Sequence, residues 1–195
     1  GYAEHGFGGE ALKCFRKMQD EGVCPDSVTF ICILKACGSI GFLEIGEEIH
    51  REVEENGLLE RNIVVGTALI DMYAKCGALE KAHQVLNELT KRNVVAWNTL
   101  IAGYTQHGLG VEALKCFRAM HVDGISPDIV TFICVLKSCG SIGIPNIGEK
   151  IYATIMQEGL LGKDVALGTA SVDMFSKCGM MQKASEAFKE IPHNN

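Results

Sequence analysis

The side chains best placed for chemistry in this sequence form a spaced series. Asp26, Asn62, Asn93, Asp128 and Asp164 each stand just before an apolar run, and Asn195 closes the chain in the same register. Their spacings are 36, 31, 35, 36 and 31 residues. As local chemistry each is a helix N-cap, whose side-chain oxygen accepts from the unpaired N–H groups of the first turn. Pro25 and Pro127 precede two of them and impose an extended entry. Other candidates are weaker. Gly6-Phe7-Gly8-Gly9 has no phosphate-cradling context, and Gly162-Lys163-Asp164 is not a Walker loop. Asp71 and Asp173 lie too far apart in sequence to form a carboxylate cluster for an RNA-cleaving metal centre.

The elements that must position this series follow from an internal duplication. With an offset of 102, residues 1–93 align with residues 103–195 without a gap, at roughly one identity in two. Glu10-Ala11-Leu12-Lys13-Cys14-Phe15-Arg16 recurs letter for letter as Glu112-Ala113-Leu114-Lys115-Cys116-Phe117-Arg118. Glycines mark a shorter period: Gly6, Gly22, Gly38, Gly57 and Gly77 recur as Gly108, Gly124, Gly140, Gly159 and Gly179. Steps of 16, 16, 19 and 20 residues suit short helices, each expected to end at a glycine in the left-handed conformation. Ala11, Leu12, Phe15 and Met18 share one helical face, as do Ala113, Leu114, Phe117 and Met120. Val28-Thr29-Phe30-Ile31 has strand-forming residue types but sits where a helix should begin. The expected fold class is all-α, a stack in which each unit buries its apolar face against its neighbours.

Composition bounds the rest. The 195 residues are 47% apolar and 22% charged, which is globular rather than disordered. No apolar run approaches the ~18 residues of a membrane span, so no membrane partner is expected. A net charge of −6 argues against a strongly basic nucleic-acid surface, though not against a local stripe. The chain opens on Gly1-Tyr2 with no basic leader or targeting segment, and is expected to be an excised piece. Eight of the nine cysteines are four repeated pairs, with Cys24 left over opposite Ser126. No CxxC occurs, and Cys32 and Cys37 would point about 140° apart on one helix, so the thiols are expected to be small core residues and no metal or cofactor is expected. His50-Arg51-Glu52 has the HxE spacing of zinc deaminases, but no Pro-Cys-x-x-Cys follows and the second copy reads Tyr152-Ala153-Thr154. It is expected to lie on a solvated helix face. The glutamates from Glu47 to Glu55 are expected to form an exposed acidic face on an outer helix.

The three-length cycle of 35, 36 and 31 residues resembles the pentatricopeptide repeat family, in its plant subclass of alternating P, L and S motifs. Val94–Asp128 resembles a P motif. Ser27–Asn62 and Ile129–Asp164 resemble L motifs, with Leu34-Lys35-Ala36-Cys37 and Leu136-Lys137-Ser138-Cys139. Ile63–Asn93 and Val165–Asn195 resemble S motifs, with Met72-Tyr73-Ala74-Lys75-Cys76-Gly77 and Met174-Phe175-Ser176-Lys177-Cys178-Gly179. Gly1–Asp26 would be the remainder of a P motif lacking its first nine residues.

The resemblance implies a right-handed α-solenoid of stacked helix-turn-helix repeats that binds single-stranded RNA, one nucleotide per repeat. The family reads bases with the fifth and last residues of each motif. Asn98 with Asp128 would favour uracil, and Thr67 with Asn93 and Thr169 with Asn195 would favour adenine. Asp26, alone in the first motif, leans toward uracil or guanine. The L motifs carry Ile31 with Asn62 and Ile133 with Asp164, and their isoleucines cannot hydrogen-bond a base edge. Val28, Val64, Val95, Val130 and Ala166 would pack on the bases, and Lys75 and Lys177 would approach phosphate. The implied footprint is 5′-(U/G)-N-A-U-N-A-3′. The implied context is a chloroplast or mitochondrial C-to-U RNA-editing factor, with any deaminase-like domain outside this chain and a protein editing cofactor docking through the L motifs. No catalytic residue is expected here. The alternative is a tetratricopeptide-like protein-interaction scaffold, which normally keeps one motif length.

Overall fold

The computed structural model describes residues 8–191 and is helical wherever the sequence is apolar-periodic. Twelve helices occur among the described residues: α1 Gly8–Asp20, α2 Ser27–Ile40, α3 Leu43–Glu55, α4 Leu58–Arg61, α5 Ile63–Lys75, α6 Leu79–Glu88, α7 Val94–Gln106, α8 Gly110–Val122, α9 Ile129–Ile142, α10 Pro145–Gln157, α11 Val165–Lys177 and α12 Met181–Lys189. A 3-10 turn spans Leu161–Lys163. The chain divides into two compact units, Gly1–Gly103 and Tyr104–Asn195.

In the first unit α2 packs against α1, α3 and α5, and α5 also meets α3, α4 and α6. A helix covered on several sides must be apolar almost all round. Accordingly α5 buries Val65, Leu69, Ile70, Met72 and Tyr73, and α2 buries Phe30, Ile33, Leu34 and Cys37. The intervening helix α3 has one neighbour face only. It buries Gly46, Ile49 and Val53 at helical spacing and turns Glu44, Glu48, Glu54 and Glu55 to solvent. Fully burying one such Leu or Ile contributes about 1.5–3 kcal/mol, so these stripes dominate the stability of the stack. The second unit repeats the scheme, with α9 against α8, α10 and α11, and α11 against α10 and α12.

Two of the expected glycine stops are not stops. Gly38 and Gly140 lie inside α2 and α9, and those helices end at Gly41 (φ 73°) and Gly143 (φ 67°), whose N–H groups reach back to the Cys37 and Cys139 carbonyls. Gly6 lies outside the described residues. What the interior glycines provide is room. A methyl group at Gly38 would sit 3.2 Å from Met72 Cα, and one at Gly140 would sit 3.1 Å from Met174 Cα. Both contacts join the C-terminal turns of two helices, so α2 and α5 run parallel, as do α9 and α11. Gly103 approaches the Ala74 Cβ in the same way and aligns α7 with α5. In each unit, parallel packing therefore brings the first turns of these apolar helices to one end.

The cysteine expectation holds in part. Cys37, Cys116 and Cys139 are buried, and Cys76, Cys134 and Cys178 are half-buried, but Cys14, Cys24 and Cys32 are exposed. Cys24 lies in the connection after α1, and Cys14 lies on α1, which packs mainly on α2, so its outer side stays wet. Burial pushes the thiols of Cys37 and Cys139 up to about 11 and that of Cys116 to about 12. These thiols behave as small apolar groups.

Candidate nucleic-acid interface

Every described member of the Asp/Asn series caps a helix. Asp26 Oδ1 accepts from the Thr29 N–H at 2.8 Å and from the Thr29 hydroxyl at 2.7 Å. Asp128 Oδ1 accepts from the Thr131 N–H at 2.9 Å and its hydroxyl at 3.0 Å, while the Asp128 N–H donates to Thr131 Oγ1 at 3.1 Å. Asn62 Oδ1 accepts from Val64 N–H at 3.0 Å, Asn93 Oδ1 from Ala96 N–H at 2.9 Å, and Asp164 Oδ1 from Leu167 N–H at 2.8 Å. The Thr29 N–H and then the Thr29 hydroxyl hold the Asp26 carboxyl below the usual carboxylate range. Thr29 and Thr131 each stand three residues after their Asp, and Thr131 completes a capping box with Asp128.

The fifth residues of the same helices differ in exposure. Thr169 is exposed, Thr67, Ile31 and Ile133 are half-buried, and Asn98 is 7% exposed. Both threonines donate their hydroxyls to their own helices, Thr67 to the Ile63 carbonyl and Thr169 to the Val165 carbonyl, each at 2.8 Å. A Thr hydroxyl with its proton so committed faces outward as an acceptor. The second residues are apolar and wet: Val28 is 65% exposed, Val64 56%, Val95 54% and Val130 51%, and Ala166 is exposed too. Asn195 lies outside the described residues.

Each unit thus presents, at one end, capped helix starts alternating with solvent-facing apolar side chains. Within the first unit Asp26, Val28, Asn62, Val64, Asn93 and Val95 share that end; within the second Asp128, Val130, Asp164 and Ala166 do. Lys75 and Lys177 are exposed at the far ends of α5 and α11, and each pairs with the aspartate one turn back, Asp71 at 2.7 Å and Asp173 at 2.8 Å. Exposed pairs of this kind hold by only about 0–1 kcal/mol, so either ammonium can exchange its partner.

The HxE residues depart from expectation. Arg51 is exposed, but the His50 side chain is only 14% exposed, with its ring edge-on to Tyr73 at 5.6 Å between centroids. The imidazole replaces a phenol at this place: in the second unit Tyr152 packs on Phe175 in the same fashion, at 5.0 Å. An aromatic packing position, not a solvated face, explains His50. The acidic face is exposed in part, and Glu47 is paired with Lys81 of α6.

Comparisons with known proteins agree with this architecture. Models described as PPR repeat family, PPR repeat and pentatricopeptide repeat domain match residues 92–141, residues 1–23, 67–94 and 172–195, and residues 13–59 respectively. Among Arabidopsis thaliana proteins, pentatricopeptide repeat-containing protein At1g06143 is 38% identical over 87% of this chain, and At4g30700 is 39% identical over 94%. A third, At4g18520, named as chloroplastic, is 34% identical over the whole chain. The chain spans 29%, 23% and 31% of these relatives' lengths. Among solved structures, that of maize pentatricopeptide repeat protein PPR10 in complex with an 18-nt psaJ RNA element superposes with a TM-score of 0.75 at 21% identity, over 96% of this chain and 28% of the other. The shared fold is an α-solenoid of helical hairpins.

Proposed function

The chain belongs to the pentatricopeptide repeat family, and from that premise we propose that it is a sequence-specific single-stranded RNA-binding array reading one nucleotide per repeat. The observation that carries the proposal is how the helix starts spend their hydrogen bonds. Capping takes one oxygen of each terminal side chain. An Asp such as Asp26 then offers its second carboxylate oxygen, an acceptor, whereas an Asn such as Asn93 offers its NH₂ group, a donor. Capping therefore sharpens the Asp/Asn difference into opposite hydrogen-bond polarity.

The pairs then match Watson–Crick edges. Thr67, whose proton is held by the Ile63 carbonyl, accepts from the adenine amino group while the Asn93 amide donates to adenine N1. Thr169 with Asn195 repeats that assignment. Asp128 accepts from the uracil N3–H while the Asn98 amide donates to a uracil carbonyl. Asp26 accepts from the ring N–H of uracil or guanine. Val28, Val64, Val95, Val130 and Ala166 lie against the base faces, and Lys75 and Lys177 leave their aspartates for phosphate. Ile31 and Ile133 add no polar reading to Asn62 and Asp164, and those two repeats dock a protein cofactor instead. In this reading the repeats are P, L and S motifs with boundaries at residues 26, 62, 93, 128 and 164. The footprint is 5′-(U/G)-N-A-U-N-A-3′, and the parent is a plant organellar C-to-U editing factor whose deaminase-like chemistry lies outside this chain.

Each readable base is worth ~1–3 kcal/mol of discrimination on the scale of bidentate base contacts, and ordering a flexible strand consumes part of the gain. Weak but selective binding is expected. In an electrophoretic shift, an oligonucleotide with the footprint should bind more tightly than one with A and U exchanged. Equal affinity for both, or none for either, would replace this reading by a protein-interaction scaffold.

A further inference from the structure

A second set of convergent polar groups lies away from the helix starts, on α3 and α6 of the first unit. His50 and Glu54 stand one turn apart on α3, and Glu88 is the last residue of α6. One ligand atom from each, a ring nitrogen and two carboxylate oxygens, lie within 4.8 Å of one another. His50 Nε2 is buried with no hydrogen-bond partner, 3.7 Å from Glu54 Oε1, while Nδ1 lies 2.9 Å from the Tyr73 hydroxyl. A buried ring nitrogen aimed at two carboxylates and bonded to none has an evident missing partner. The second copy provides an internal contrast: Tyr152 and Met156 occupy the places of His50 and Glu54, and only Glu190 of the trio is kept.

We propose that His50, Glu54 and Glu88 form a binding site for a divalent transition-metal ion of the zinc type, clasping α3 to α6. One imidazole and two carboxylates are a donor set such ions accept, with water completing a tetrahedral shell. Tyr73 is the outer partner. With Nδ1–H donating to the phenol oxygen, the Nε2 lone pair points at the metal, an arrangement common around ligating histidines. Ligand atoms around zinc lie ~3.3 Å apart given its bond lengths of about 2.0–2.2 Å, so the three groups must draw together slightly. Glu54 and Glu88 are exposed and can rotate to do so. Gln84 donates to Glu88 Oε1 at 2.8 Å, leaving the other oxygen for the ion, and the neighbouring Lys81 is paired with Glu47.

The test titrates the full chain with zinc against a chromophoric chelator, and with cobalt to read the ligand type. One ion per chain is expected, with a nitrogen/oxygen-type cobalt spectrum and a zinc-dependent rise in Tm. His50→Tyr installs the residue the second copy already packs at this position, so helicity should be kept while zinc affinity falls at least about tenfold. Glu54→Gln and Glu88→Gln should weaken binding as well. Absence of saturable binding, a thiolate-to-cobalt charge-transfer band, or zinc affinity unchanged in His50→Tyr would each overturn the proposal. RNA selectivity in the shift assay is a separate readout, so failure of the metal site leaves the base-reading result unaffected.

Discussion

A side chain that caps a helix and a side chain that reads a base are usually treated as rivals for the same atoms. In Asp26, Asn62, Asn93, Asp128 and Asp164 the cap uses one oxygen of a two-headed group, and that expenditure gives the other head its polarity. Two substitutions follow. Asn93→Asp keeps an N-capping oxygen but turns the outward donor into an acceptor, so with Thr67 it should move one nucleotide preference from adenine to guanine by ~1–3 kcal/mol of discrimination. Asn98→Thr should move its nucleotide from uracil toward guanine on the same scale. Because Asn98 is 7% exposed, circular dichroism must accompany its shift assay to separate folding from reading. Unchanged base preference in a folded Asn93→Asp variant would show that the cap residue does not read. The series itself was legible as caps. The clamps by Thr29 and Thr131, and the committed hydroxyls of Thr67 and Thr169, emerged only with coordinates, because rotamers are chosen by neighbours.

At the scale of the helix, pattern served better than punctuation. The apolar stripe of α3 and the near-uniform apolarity of α2 and α5 follow from how many sides each helix has covered, and periodicity reports that directly. Glycine does not report its reason. Gly38 and Gly41 stand three residues apart, and sequence alone takes the first as the stop. In the structure Gly41 adopts positive φ, while Gly38 lets α2 approach the α5 backbone. Gly38→Val should therefore force the two helices apart and destabilise the first unit by about 1–3 kcal/mol, read as a lower midpoint in urea. A stability gain would mean that the close approach is not a constraint. His50 illustrates the same limit: HxE within a glutamate-rich helix looks solvated, yet its ring takes an aromatic packing place against Tyr73.

At the scale of the molecule, charge sets how RNA can be held. A net charge of −6 gives the chain as a whole no attraction for phosphate, and Lys75 and Lys177 are both paired to aspartates. If those two lysines supply the phosphate contacts, log affinity should fall with log salt at a slope of only about −1.4, from ~0.7 per contact on single strands. A much steeper slope would mean that a basic surface other than these lysines dominates.

Periodicity, duplication and motif length made the helical class, the family and the series of helix-starting polar residues readable before any coordinates, since they depend on local preference and on counting along the chain. Contact between residues far apart in sequence decided the remainder: which glycine admits a neighbouring helix, which thiols are wet, and where the His50 ring lies. Those outcomes turn on distances of a few tenths of an ångström between helices, and no one-dimensional pattern encodes them.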